Sequence, residues 1–188
     1  ENIGDEVHMI SELSKHILAA GGKRIRPIIT LLTSKLCNYE GKNHLSLAAC
    51  IEFIHTATLL HDDVIDESKL RRGVATANDI FGNKTSVLVG DFLFSRSFEL
   101  MVENGSKQIL EVLSSASSTI AKGEVLQLTT VNDCSTSKET YLNIINSKTA
   151  SLFAAAAEIS AILSNKNKLI QNALITYGQK LGIAFQLT

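Results

Sequence analysis

Apolar residues recur along this chain at three- and four-residue spacing, and strict alternation with a period of two is scarce. Val7, Ile10, Leu13 and Ile17 form a stripe along a first helix, which Gly21-Gly22 should terminate. A second helix is expected over about residues 25–36. A third, over about 45–65, is apolar on most faces and should lie at the centre of the fold. The polar segment 67–76 reads as a loop. Further helices are expected over 85–102, 107–128, 138–146, 149–163 and 168–187, separated by short linkers such as Glu103-Asn104-Gly105 and Asn132-Asp133-Cys134. The one proline, Pro27, sits near a helix start, where its missing N–H costs little. These features predict an all-α protein with a single domain over 1–188, since no repeat, low-complexity stretch or domain-splitting linker interrupts the pattern.

Composition narrows the class. With 188 residues, 45% hydrophobic and 20% charged, the chain can bury one sizeable core. Its net charge of −1 offers no global field for nucleic acid, so any attraction for an anion must come from local clusters of Lys and Arg. Cys37, Cys50 and Cys134 are widely spaced and form no Cys-x-x-Cys pair, which argues for reduced thiols in an intracellular protein and against zinc or disulfides. The longest apolar stretch, 150–163, is too short to span a bilayer and contains Glu158. The start, Glu1-Asn2-Ile3-Gly4, has no signal-peptide character. A cytoplasmic location is expected, or an organellar one after removal of a targeting peptide.

The chemistry concentrates at Asp62-Asp63-Val64-Ile65-Asp66, at the C-terminal end of the most apolar helix. Asp62 and Asp66 are four residues apart, which puts both carboxylates on one helical face at about 5–6 Å between Cβ atoms. At the negative end of a helix two such charges repel unless a cation lies between them, and Mg²⁺ suits a pair of carboxylates completed by water and phosphate oxygens. His55 lies two turns earlier on nearly the same face. Lys69, Arg71 and Arg72 follow the acids directly; Lys23, Arg24 and Arg26 follow a double glycine and precede a helix start. Glycine permits close backbone approach, a helix N-terminus offers free N–H groups, and arginine supplies bidentate donors for phosphate. One acidic metal site flanked by two basic clusters points to two polyphosphate ligands, one held through metal and one directly.

These residues resemble the trans-isoprenyl (polyprenyl) diphosphate synthases. GGKRIRP (21–27), HTATLLHDDVIDESKLRRG (55–73), GDFLFSRSFEL (90–100), GEVLQL (123–128), KTASLF (148–153) and FQLT (185–188) occur in that family's order, most like the long-chain octaprenyl, decaprenyl and solanesyl branch that makes quinone side chains. The resemblance implies an antiparallel helical bundle of the isoprenoid synthase type around a central cleft, and a homodimer. It implies an Mg²⁺-dependent transferase that extends an allylic diphosphate, such as farnesyl diphosphate, with isopentenyl diphosphate. Lys23, Arg26, His55 and Arg72 would bind isopentenyl diphosphate. Asp62 and Asp66, supported by Asp63, would hold Mg²⁺ on the allylic diphosphate, which Arg71 and Lys148 would also contact. Thr149 and Gln186 would line the site, with Gln127 a further member. The small Ala57 and Thr58, just before the acids, resemble a long-product enzyme, and Phe92, Phe94, Phe98 and Phe153 could shape deeper walls. The family carries a second aspartate-rich motif just after the FQLT segment, which this sequence does not reach. It is therefore expected to be the N-terminal part of a longer protein, lacking a C-terminal part and inactive alone.

Other readings fit less well. Glu52-Phe53-Ile54-His55 matches the Glu-x-x-His of di-iron bundles, but no second copy exists. A non-catalytic partner subunit would be expected to have lost the acidic and Arg-Arg motifs, and a terpene cyclase or squalene-type synthase to lack the paired GGKRIRP and RRG blocks. Asp91 and Glu124, acids within apolar helices, should each have a basic or polar partner.

Overall fold

The computed structural model describes residues 8–131 and 133–187; Val7 of the first stripe, Asn132 of the second linker and Thr188 of the last motif lie outside them. The order is α1 (His8–Ala19), α2 (Ile25–Leu36), α3 (Asn43–Ile65), a hairpin of β1 (Leu70–Arg71) and β2 (Val74–Ala75), α4 (Ala77–Phe81), α5 (Asn83–Asn104), α6 (Lys107–Thr130), α7 (Lys138–Ile145), a π-helical turn (Asn146–Ala150), α8 (Ser151–Leu163) and α9 (Lys168–Leu187). The protein is all-α, as the periodicity predicts. Three details differ from the expected elements, the first being the short helix α4, where none is expected. The polar segment expected as loop contains the hairpin, and what reads as one helix from 149 begins with the π turn. In the hairpin Leu70 pairs with Ala75 and Arg71 with Val74. The two turn residues, Arg72 (φ 53°) and Gly73 (φ 78°), both take the left-handed conformation that a two-residue turn with right-handed strand twist requires.

The described residues fold into two compact units. The first comprises the segment ending at Arg24 together with Glu52–Phe98; the second comprises Ile25–Ile51 and the chain from Glu99 onward. The first unit is centred on buried Leu13, Ala57, Leu60, Ala77, Val89 and Leu93, with Ile10, Ile17, Phe53, Phe81, Phe92 and Phe94 packed against them. Each large aliphatic side chain so buried contributes about 1.5–3 kcal/mol. His16 ties α1 to β2 through the Ala75 carbonyl at 2.8 Å, and its ring meets Phe81 edge-on.

In the second unit α8 is apolar on all sides and is buried accordingly, between α2, α6 and α9. A short polar ladder fixes α2 on α8: Thr30 Oγ1 donates to the Ala156 carbonyl at 3.0 Å, and Ser160 Oγ donates back to the Thr30 carbonyl at 3.0 Å. Close approach of α9 depends on glycine. A Cβ at Gly178 would lie 2.5 Å from the Phe153 carbonyl oxygen, and one at Gly182 would lie 2.6 Å from Ala150 Cα. Among the described residues no helix is long and apolar enough to cross a membrane.

Candidate active site

The last turn of α3 carries Asp62 and Asp63, and Asp66 follows directly after its end. The Asp66 amide donates to the Asp62 carbonyl at 2.8 Å, so the two residues sit one helical turn apart. Asp62 is 8% exposed, whereas Asp66 is open to solvent. Asp63 lies on a different face and is clasped by Arg71: Nε donates to both carboxylate oxygens at 3.0 Å, and Nη2 donates to Oδ1 at 2.7 Å. The hydrogen bonds to Asp63 raise the Arg71 pKa; burial opposes this, and the charges of Asp63, Asp62 and Asp66 add to it, leaving the guanidinium above its ordinary value. The hairpin that delivers Arg71 is held to the end of α3 by Asn78 Nδ2, which donates to the carbonyls of Asp63 (3.2 Å) and Ser68 (3.1 Å). Thr76 Oγ1 adds a bond to the Ser68 carbonyl at 2.7 Å.

The basic turn between α1 and α2 belongs to the same unit up to Arg24. Arg72 Nη1 donates to the Gly21 carbonyl at 2.7 Å. A Cβ at Gly22 would lie 2.8 Å from Arg72 Nη1, so the bare glycine lets that guanidinium rest directly against the turn. Arg24 pairs with Glu52 of α3, while Lys23 is exposed between the two anchored neighbours. His55, partly buried, follows Glu52 by three residues on α3, and Thr58 Oγ1 donates to the His55 carbonyl at 2.7 Å. Ala57 is enclosed in the core of this unit. Phe94 and Phe98 meet edge-on with ring centroids 5.1 Å apart.

The second unit carries the other candidates. Lys148 and Thr149 stand on the π turn, a distortion that recurs at functional sites. Lys148 Nζ donates to Glu124 Oε2 at 2.7 Å, and Thr149 Oγ1 donates to Gln186 Oε1 at 3.1 Å, so α6 and α9 each brace the turn. Gly123 allows the approach of α6, since a Cβ there would lie 2.8 Å from Ser147 Cβ and 3.0 Å from the Lys148 amide nitrogen. Gln127 is half-buried one turn further along α6. Arg26, in the first turn of α2, places its guanidinium carbon 4.6 Å from the centre of the Phe153 ring. Both acids that the sequence left without partners now have them: Glu124 holds Lys148, and Asp91 faces His61 Nε2 at 3.3 Å. Neither pairing, nor that of Arg24 with Glu52, has a sequence signal, because the partners are far apart in the chain.

Among the described residues no three His, Cys, Asp or Glu side chains gather into a metal cage. Asp62 and Asp66 offer instead two carboxylates on one helical face. That donor set fits a hydrated Mg²⁺, which needs only one or two carboxylates alongside water and phosphate oxygens.

The pattern of the polyprenyl synthetase family matches residues 7–188. The chain belongs to this family. Among its relatives, it is 53% identical over 187 residues to an octaprenyl diphosphate synthase of Escherichia coli (strain K12), covering 100% of this chain and 58% of that one. It is 45% identical over 188 residues to a geranyl-diphosphate-specific all-trans-nonaprenyl-diphosphate synthase of Rhodobacter capsulatus, again with 58% of that protein covered. A crystal structure of a polyprenyl synthase from Caulobacter crescentus CB15, complexed with calcium and isoprenyl diphosphate, matches with a TM-score of 0.96 at 51% identity, covering 99% of this chain and 57% of that one. The all-α fold is that of these synthases. The chain spans a little over half the length of the relatives it matches.

Proposed function

We propose that the protein elongates an allylic diphosphate by successive head-to-tail condensation with isopentenyl diphosphate, giving a long all-trans polyprenyl diphosphate for a quinone side chain. The observation that carries this is the single stripe on α3. His55, Asp62 and Asp66 recur there at helical spacing, and the unit that contains them also holds Arg72 against the Gly21-Gly22 turn that carries Lys23. The relatives, named as octaprenyl and nonaprenyl diphosphate synthases, support a long product.

Asp62 and Asp66 would hold Mg²⁺, which supplies charge neutralisation to the departing pyrophosphate. Asp63 serves the same end indirectly, by fixing Arg71. Arg71 and Lys148 place further positive charge where negative charge develops as the allylic carbon–oxygen bond breaks. Lys23, Arg26, Arg72 and His55 hold the diphosphate of isopentenyl diphosphate, so that its double bond meets the cation in an oriented encounter and the proton lost from the new carbon–carbon adduct passes to the departed pyrophosphate. Thr149 and Gln186 line the allylic side, with Gln127 beside them, and Ala57 and Thr58 leave room for a growing chain. No protein nucleophile is needed. The same reading includes a homodimer in the cytoplasm.

The test combines the protein at its full natural length with farnesyl diphosphate, labelled isopentenyl diphosphate and Mg²⁺, and separates products by length. Asp62→Ala and EDTA serve as controls. Long labelled chains that vanish in both controls are expected. Absence of any product would overturn the catalytic reading and favour a non-catalytic partner subunit.

A further inference from the structure

Glu52 presents a problem for an anion site. It lies on α3 three residues before His55 and ten before Asp62, on the stripe assigned above to two diphosphates, and a bare carboxylate there would repel both. The structure gives it a partner: Glu52 Oε1 pairs with Arg24 Nη1, their side chains 18% and 30% exposed. Arg24 is also held at φ 48°, a left-handed conformation that is unfavourable for a non-glycine residue and persists only where surrounding contacts enforce it. On the other side of Lys23, Gly22 lies against Arg72 Nη1, and Gly21 (φ 69°) accepts a hydrogen bond from that guanidinium. Lys23 is thus carried on a turn pinned at both flanks.

We propose that Glu52 is a positioning residue that, through Arg24, holds the 21–24 turn so that Lys23 and Arg72 face the diphosphate of isopentenyl diphosphate. The assignment of that ligand rests on the function proposed above. Arg24 acts in both directions: it fixes the turn, and it neutralises a carboxylate that would otherwise weaken the site. Glu52 touches no reacting atom, so its effect falls on binding of one substrate and not on ionisation of the other.

The two roles of Arg24 set an order of effects. In the protein at its full natural length, Glu52→Gln weakens the tether without leaving an unpaired carboxylate, and the KM for isopentenyl diphosphate rises about tenfold, the scale of one lost charge-assisted hydrogen bond. Arg24→Ala leaves Glu52 uncompensated and raises that KM further. The double variant recovers towards Glu52→Gln, and Glu52→Asp falls between Glu52→Gln and the parent. In all four, kcat at saturating isopentenyl diphosphate and the KM for the allylic substrate stay within about twofold, a difference too small to reflect a lost contact.

Lys23→Ala separates the two claims. If it leaves the KM for isopentenyl diphosphate unchanged, the ligand assignment fails and the positioning role falls with it. If Lys23→Ala raises that KM while Glu52→Gln and Arg24→Ala do not, the positioning role alone is overturned. Parallel losses in kcat, both KM values and melting temperature for Glu52→Gln would mark an ordinary structural pair and also overturn it, as would an Arg24→Ala effect that the double variant fails to relieve.

Discussion

Arg71 grips Asp63 through three hydrogen bonds of 2.7–3.0 Å, which commits the middle acid of the cluster to an arginine, while Asp62 and Asp66 share another face of α3. The three acids are therefore expected to do different work. Asp62→Asn and Asp66→Asn should each raise the Mg²⁺ concentration for half-maximal activity by about tenfold or more, as loss of a ligand does. Asp63→Asn should leave that concentration nearly unchanged and lower kcat, because it weakens the hold on Arg71. Arg71→Lys should behave like Asp63→Asn, since an ammonium cannot span both carboxylate oxygens. Activity titrated against Mg²⁺ distinguishes the classes, and a shifted Mg²⁺ requirement in Asp63→Asn would contradict this division.

Lys148 is expected to act on the allylic substrate alone. Lys148→Ala should lower kcat/KM for the allylic diphosphate by about 10²-fold, on the scale of removing one charged donor from a developing anion, and leave the KM for isopentenyl diphosphate unchanged. Gly123→Ala should have a related effect by another route. The new methyl meets Ser147 and the Lys148 amide and must displace the π turn. Steady-state kinetics in each substrate separately would check both.

The glycines of α9 make a stability prediction. A Cβ at Gly178 would stand 2.5 Å from the Phe153 carbonyl oxygen and 2.7 Å from Ala154 Cα, atoms of a helix backbone that cannot swing aside. Gly178→Ala should cost about 1–3 kcal/mol through overpacking, although alanine is the better helix former. Chemical denaturation would measure this, and a stabilised variant would show that α9 can shift on α8.

How far the sequence revealed these arrangements depended on whether the information was local. Helices α2 and α9 were legible because an apolar stripe with helical spacing runs through each. The pair Asp62 and Asp66 was legible because four residues make one turn. The hairpin was not: two-residue strands are too short to show a period, and Arg72-Gly73 is not among the dipeptides that usually mark a left-handed turn. The π turn leaves no mark either, since one widened turn changes no composition. Lys148 came from family resemblance, whereas its partner Glu124 lies 24 residues away and became visible only through packing.

Cysteine reactivity offers an independent check on the second unit. Cys37 and Cys50 are buried, and burial raises the Cys37 thiol pKa above its ordinary value, with Lys166 opposing more weakly. Cys134 is exposed. Because the thiolate is the reactive form, limited alkylation at pH 8 should label Cys134 first and leave Cys37 and Cys50 until the protein is denatured. Mass spectrometry of the digested protein would assign the label, and early modification of Cys37 would mean that the packing around α2 is looser than described.

Glu158 gives stability a pH dependence whose sign can be worked out. It lies half-buried on α8, where burial raises its carboxyl pKa above the ordinary 4.5 and Lys168 opposes the shift more weakly. The folded protein therefore holds this proton more tightly than the unfolded chain does. The stability so gained is fully present below the unfolded pKa and is lost as pH rises through the raised folded value, because the carboxylate must then be carried partly desolvated. Glu158→Gln keeps the shape and removes the ionisation. It should raise the denaturation midpoint at pH 7 and leave it unchanged near pH 4, so the two curves converge on acidification. A variant less stable than the parent at pH 7 would mean that the attraction to Lys168 outweighs the cost of burial and that the Glu158 pKa is lowered on folding.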